Sequence, residues 1–481
     1  MIRNMGISAG LNLYRAGIQF VLNLSLAYFL DPSDFGLIAL LLPITLFILL
    51  IGNFGLTSAI VQRPSLSRIE AGSAAVVCIS LGAAIFITVA VLYSFGLFAS
   101  RTVPLQGLAL AFAAVALLAL ASIVPRALLE RRLSYGTVGA IEAAAGTIGF
   151  TSALFAAWAG AGVWSFAIYH LLMQIIRFTA YWAIEFDNVE LSLEWRHAVP
   201  LMGFGSWIVA FDVVNYLMRN GDKYIIGGLL GTHALGLYAL GYQVMLIPLM
   251  AITWPVSGVL LATLSRLRGD LAVQRQTVIA VLAVAAAFTL PMMTFIGIRG
   301  DLLLNVALPE RWHAAGVVVG RMAIAGGLQS VMAFVGPIFV MQKRIRGQFV
   351  LQCLATVSTI GVVAIAALLF GTVNAVADAY VVLSVLLAGI YLLLLARMIR
   401  ASFVSVAAAL APGLVLSAAS TLSLVVAESI IPAVTLRDHA LLAVSAYFGS
   451  AVLLVGFQRR RLRSALDVIQ GAGLRAAAAS S

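Results

Sequence analysis

Residues 35–61 hold no Asp, Glu, Lys or Arg, and uncharged apolar stretches of similar length recur along the 481-residue chain. Wound as a helix rising 1.5 Å per residue, such a stretch spans the roughly 30 Å hydrocarbon core of a bilayer. A chain that is 63% apolar and 10% charged carries too much of this material to bury in a water-soluble domain. The expected fold is an all-α integral membrane protein with about 14 transmembrane helices. They are placed at 8–30, 35–61, 72–98, 103–124, 137–158, 161–182, 200–229, 234–262, 274–298, 315–341, 349–370, 375–396, 404–427 and 438–457. The first stretch is too long and too polar for a cleaved signal peptide and is expected to stay in the mature protein. Cys78 and Cys353 fall inside apolar stretches and read as small core residues, not as a disulfide framework or a thiolate metal site.

Charge placement gives an orientation. Of the 29 Lys and Arg residues, Arg15, Arg219, Lys223 and Arg321 lie inside spans, and Arg101, Arg299, Arg311 and Arg437 lie in connections on one face. The remaining 21 lie in connections or tails on the other face. The positive-inside rule then puts both termini in the cytoplasm, consistent with an even number of spans. The net charge of +11 is thus a topology signal, and no soluble basic surface exists to track a nucleic-acid backbone. Arg459, Arg460, Arg461 and Arg463 are expected against anionic headgroups of membrane lipids, with the closing Ala/Ser run disordered.

The polar residues that interrupt the spans are patterned. Asn12, Arg15, Gln19 and Asn23 recur 200 residues later as Asp212, Asn215, Arg219 and Lys223. Spacings of three, four and four put each set on one helix face, and two such faces are expected to line a shared cavity. The same offset relates Leu30, Gly36, Leu37, Ala39 and Leu40 to Leu230, Gly236, Leu237, Ala239 and Leu240, and Ser65 and Arg68 to Ser265 and Arg268. Six spans separate equivalent points, so two six-helix lobes related by a pseudo-two-fold along the membrane normal are expected, plus two extra C-terminal helices. The implied organisation is an N-lobe at 1–182, a cytoplasmic linker at 183–199, a C-lobe at 200–398, the extra pair at 399–457 and a basic cytoplasmic tail at 458–481. Glu185, Asp187, Glu190, Glu194 and Trp195 give the linker an interfacial character.

Across Asp222–Asp270 the chain places Ile226, Gly227, Leu230, Gly231, Ala234, Leu235, Gly236, Tyr238, Tyr242, Pro248, Ser265, Arg266 and Leu267. Nearer the N terminus it places Leu30, Pro32, Phe35, Gly36, Leu37, Ala39, Phe54, Gly55, Leu56, Ser58, Gln62 and Arg63. On these residues the chain resembles the polysaccharide transporter family of oligosaccharide flippases. That family sits in the multidrug/oligosaccharidyl-lipid/polysaccharide exporter superfamily, with the multidrug and toxic compound extrusion antiporters and the lipid II flippases. The resemblance covers nearly the whole chain, but its motifs are packing and turn residues that specify family better than substrate. Asn53 stands before Phe54 where an acidic residue is expected, so no carboxylate role carries over there.

The resemblance implies alternating access, and an undecaprenyl diphosphate glycan as substrate. Such a lipid joins a dianionic pyrophosphate and a polar sugar to a long apolar tail, so crossing hydrocarbon unaided would desolvate charge at severe cost. A cationic cavity lowers that barrier. Arg15, Arg219, Lys223 and Arg321 are the candidate pyrophosphate ligands. Asn12, Gln19, Asn23, Asn215 and Gln243 are candidate cavity-lining residues for sugar hydroxyls. Asp212, Asp222, Glu142 and Asp378 are the intramembrane carboxylates that could couple transport to an ion gradient. The competing reading makes Asp212 and Asp222 partners of Arg219 and Lys223 in an internal ion-pair network, and makes Arg321 a snorkelling anchor. Gly203, Gly205, Pro43, Pro248, Pro255, Pro291 and Pro337 weaken helix hydrogen bonding and are either hinges or static kinks.

No Gly-rich phosphate loop ending in Lys-Ser/Thr occurs, and the five histidines at 170, 197, 233, 313 and 439 are scattered, so no cofactor, no metal and no ATP-driven pump is expected. The expected partners are the lipid-linked oligosaccharide, membrane lipids and a polysaccharide polymerase or export machinery. The chief alternative is an ion-coupled drug or metabolite antiporter of the related extrusion family. A membrane glycan polymerase or acyltransferase would need an external catalytic carboxylate or His pair, for which Asp301 with Glu310 is the one faint candidate.

Overall fold

The computed structural model describes residues 17–18, 21–63, 65–95, 105–192, 194–267, 270–431, 435–457 and 459–478, and these are helical with no strand among them. In chain order the helices are α1 (21–29), α2 (Pro32–Gly52), α3 (Leu56–Gln62), α4 (Arg68–Ser94), α5 (Leu105–Ala121), α6 (Ile123–Arg131), α7 (Tyr135–Trp158) and α8 (Trp164–Glu185). There follow α9 (Trp195–Pro248), a π-helical turn (Leu249–Thr253), α10 (Trp254–Arg266), α11 (Leu271–Ala307), α12 (Ala315–Met332) and α13 (Val335–Met341). The chain ends with α14 (Ile345–Phe370), α15 (Val373–Met398), α16 (Phe403–Ala408), α17 (Ala411–Ile430), α18 (Leu436–Phe457) and α19 (Arg459–Ala478).

Eleven helical segments among the described residues are long and apolar enough to cross a membrane. The difference from the expected fourteen has local reasons. The first span lies largely outside the described residues. The sixth is present as α8 but carries His170, Gln174 and Arg177, which lower its apolar character. The seventh and eighth fall on one continuous helical run, α9, broken only at Gly231.

Backbone contacts divide the chain between Tyr224 and Ile225 into two compact units. Inside the first, α4 packs on α5, α7 on α8, α5 on α8 and α3 on α6. Inside the second, α11 packs on α12, α14 on α15, α12 on α15 and α10 on α13, which is the same set of pairings one repeat later. The breaks repeat as well. The second span of the first unit is interrupted at Asn53–Gly55, where Gly55 takes φ 67, and its counterpart is interrupted by the π-helical turn at Leu249–Thr253. The fourth spans are cut near one end, at Ser122 between α5 and α6 and at Ala333 and Phe334 between α12 and α13.

In the first unit Leu56, Ile60, Ala74, Cys78, Leu120 and Val124 form an interior cluster, and Cys78 is fully buried with its thiol toward the Gly52 carbonyl. The linker packs onto this core. Val189 joins the cluster, the Glu190 amide donates to the Arg68 carbonyl at 3.1 Å, and a Cβ on Gly72 would lie 1.7 Å from the Glu190 oxygen. The contact division falls one span beyond the linker, and on that span Tyr216 of α9 donates to the Pro43 carbonyl of α2 at 2.6 Å and lies against Phe47.

In the second unit Leu264, Leu282, Ala286, Val335, Ile338 and Leu395 form the interior. The two additional helices dock on α11: Tyr447 of α18 donates to the Pro291 carbonyl at 2.9 Å, and Gly413 of α17 brings its Cα against the Ala286 carbonyl. Of the closing Ala/Ser run expected to be disordered, the part within the described residues ends α19 at Ala478, in keeping with the high helix propensity of Ala, and residues 479–481 lie outside the described residues. Large side chains such as Leu369, Val382, Leu422 and Leu453 remain outward, as lipid-facing positions must.

Candidate functional site

The polar stripe of the seventh span lies on α9. Asn12, Arg15 and Gln19 lie outside the described residues, as do the side chains of Asp212 and Asn215. What remains is a short relay. Arg219 is exposed. Asn220 sits one residue on, donating through Nδ2 to the Tyr216 carbonyl at 3.1 Å and accepting at Oδ1 from the Lys223 ammonium at 3.0 Å. Asp222 is 5% exposed, and its Oδ1 accepts the backbone amide of Lys223 at 2.9 Å. Asn220 was not among the expected site residues. Its i, i+3 spacing to Lys223 and i, i+4 spacing to Tyr216 were readable, but only the coordinates show it holding the ammonium while Tyr216 is anchored on Pro43. Asn23 on α1 is half-buried.

In the second unit Gln243, on α9, is half-buried. Arg321, two turns into α12, forms an ion pair with Asp378, in the first turns of α15. One candidate phosphate ligand is thus joined to one candidate coupling carboxylate. Gln329, further along α12, donates to the hydroxyl of Tyr380, two residues beyond Asp378 on α15, at 2.9 Å. The Arg321 Nη1 is buried and has no hydrogen-bond partner among the described residues, so its guanidinium keeps donor capacity beyond the pair.

Glu142 belongs to a separate cluster in the first unit. It is 3% exposed on α7, ion-paired to Arg177 of α8, 3.0 Å from the Tyr181 hydroxyl that donates to it, and 3.7 Å from Arg126 of α6. Arg126 also pairs with Glu130 one turn on, and Arg177 donates to Gln174. Two arginines against two carboxylates leave the cluster neutral, and it ties α6, α7 and α8 together. The arginines had been assigned to connections by sequence. The signal for the cluster was Glu142 itself, since a buried carboxylate requires a cation partner.

Among the described residues no group of His, Cys, Asp and Glu is arranged to hold a metal ion.

The model of a family described as "Polysaccharide biosynthesis protein" matches residues 25–317. The lipopolysaccharide biosynthesis protein WzxC of Escherichia coli (strain K12) is 23% identical over 346 residues, 68% of this chain and 67% of that one. Among solved structures, the lipid II flippase MurJ in an inward closed conformation superposes with a TM-score of 0.70 at 13% identity, covering 96% of this chain and 100% of that one. An inward-facing multidrug resistance MATE family transporter of the MOP superfamily superposes with a TM-score of 0.63 at 14% identity, covering 82% and 98%.

Proposed function

This chain belongs to the polysaccharide biosynthesis protein family, and from that membership we propose that it is a flippase for an undecaprenyl-diphosphate-linked oligosaccharide repeat unit. It moves the lipid-linked glycan from the cytoplasmic to the periplasmic leaflet of a bacterial inner membrane, feeding exopolysaccharide, O-antigen or capsule assembly. A periplasmic polymerase or export machinery would consume the product. WzxC, to which the chain is similar, carries a lipopolysaccharide biosynthesis name.

One observation carries the reading: two intramembrane cations lie one turn apart on α9. Arg219 is exposed and Lys223 is held by the neutral Asn220. A guanidinium and an ammonium one turn apart match a pyrophosphate, the first by forked hydrogen bonds and the second as a point charge. In this reading Arg15 and Arg321 complete a cationic cavity and Asn12, Gln19, Asn23, Asn215 and Gln243 meet sugar hydroxyls. Alternating access then moves the headgroup while the isoprenoid stays in lipid. Arg321 would leave Asp378 to engage phosphate, which makes their pair a candidate link between substrate and an ion gradient.

The test is a deletion strain complemented with Arg219→Ala or Lys223→Ala. Surface glycan is expected to fall at least about tenfold, with inward-facing lipid-linked units accumulating and the protein still in the membrane; normal export by both variants would refute the cationic site. A loss of drug or metabolite efflux with unchanged glycan would favour the antiporter reading.

A further inference from the structure

We propose that the cleft between α10, α11 and α19 binds one acyl chain of an anionic bilayer phospholipid. The cleft has a volume of about 320 Å³ and is lined by Pro255, Val259 and Thr263 of α10, Val281 and Phe288 of α11, and Ile469 of α19. It offers a polar ligand almost no hydrogen-bond partner, which excludes a headgroup or a sugar and suits hydrocarbon. Val259 and Phe288 are 67% and 63% exposed, so the cleft opens outward.

Length and charge name the occupant. From Thr263 back to Ile252 the lining extends about 16 Å at a helical rise of 1.5 Å per residue, close to half of a roughly 30 Å hydrocarbon core. That is the depth of one leaflet's chains. At the Thr263 end the cleft stops just short of Arg266, which closes α10 and is exposed. Arg463 of α19 is also exposed. Asp270, which caps α11, and Asp467 are the nearby carboxylates, and neither is paired with these arginines by an ion pair among the described residues. The wall that completes the cleft is an amphipathic helix: Ala465, Val468, Ile469 and Ala472 share one face of α19, with Ala472 buried against Leu267 and Val273, while Ser464, Asp467 and Gln470 face out. Such a basic amphipathic helix belongs at the headgroup boundary, where an anionic phosphate beside Arg266 would leave its chain to run down the cleft. The proposal rests on the membrane fold alone and not on the transported glycan.

The experiment uses the delipidated full-length chain in detergent and measures bound lipid by native mass spectrometry after adding phosphatidylglycerol or phosphatidylcholine with the same acyl chains. Retention of one phosphatidylglycerol, about tenfold tighter than phosphatidylcholine, is expected. Val259→Trp, at an exposed position, should weaken it about tenfold, and Arg266→Gln should reduce phosphatidylglycerol to the level of phosphatidylcholine. A phosphatidylglycerol carrying a diazirine on its chain should crosslink to residues 252–263 in the unmodified protein, a readout that needs no variant to fold. Equal binding of the two lipids, unchanged retention by Val259→Trp, crosslinks confined elsewhere, or tighter binding of undecaprenyl phosphate in the same cleft would each overturn the assignment.

Discussion

Glu142 and Lys223 are both charged groups inside apolar helices, yet their surroundings give them opposite duties. Glu142 is enclosed by Arg177, Arg126 and the Tyr181 hydroxyl, and its side chain is 2% exposed. Removing one partner of such a buried pair strands the other charge, at a cost of about 3 kcal/mol or more. Arg177→Ala should therefore lower the thermal unfolding temperature in detergent sharply, while the double variant Arg177→Met/Glu142→Gln should recover much of the loss. Equal destabilisation by single and double changes would show that packing, not stranded charge, is responsible. Lys223 donates to the Asn220 amide and neighbours the buried Asp222, and Lys223→Ala is expected to lose transport while the protein still reaches the membrane.

At the scale of elements, the breaks matter as much as the helices. Gly231 adopts φ 85 and ψ 174, a region essentially reserved for glycine, and the helical run of α9 is kinked there. Its counterpart 200 residues earlier, Asp31, interrupts the chain between α1 and α2 in an ordinary extended conformation with Pro32 opening the next helix. One repeat makes the break with proline and the other with glycine. Gly231→Ala should destabilise by about 1–3 kcal/mol through backbone strain and reduce accumulation in the membrane. Gly228→Ala, at a helical position where a Cβ meets nothing within 4 Å, is the matched control and should be neutral or mildly stabilising. If the two variants behave alike, the strain at Gly231 is not real.

At the scale of the molecule, two units with the same internal pairings carry a pair of additional helices docked on α11, fastened at one end by Arg299 to Glu428, with His439 3.2 Å from the same carboxylate. In the proposed topology, with both termini inside, the distribution of arginine would put Ser134 and Arg344 on the cytoplasmic side and Ala161 and Asn374 on the opposite one. Single cysteines at those four positions, in a version lacking Cys78 and Cys353, should react with a membrane-impermeant maleimide added outside only at 161 and 374. Labelling at 134 or 344 from outside would invert or break the proposed topology.

Hydropathy, the 200-residue repeat and the packing motifs were legible in the sequence because each depends on local composition and spacing: an apolar run must be a span, and a helical period puts polar residues on one face whatever surrounds them. They determined an all-helical membrane protein built twice over, and they placed Gly231 at the gap between two spans. What they left open was partnership. Whether Arg321 faces phosphate or Asp378, whether Glu142 is enclosed by Arg126 and Arg177, and whether the C-terminal tail trails away or closes an apolar cleft all depend on residues tens of positions apart meeting in space. Only the tertiary structure decided these, because the energy of a charge in low dielectric is set by its neighbours within a few ångströms and not by its neighbours in the chain.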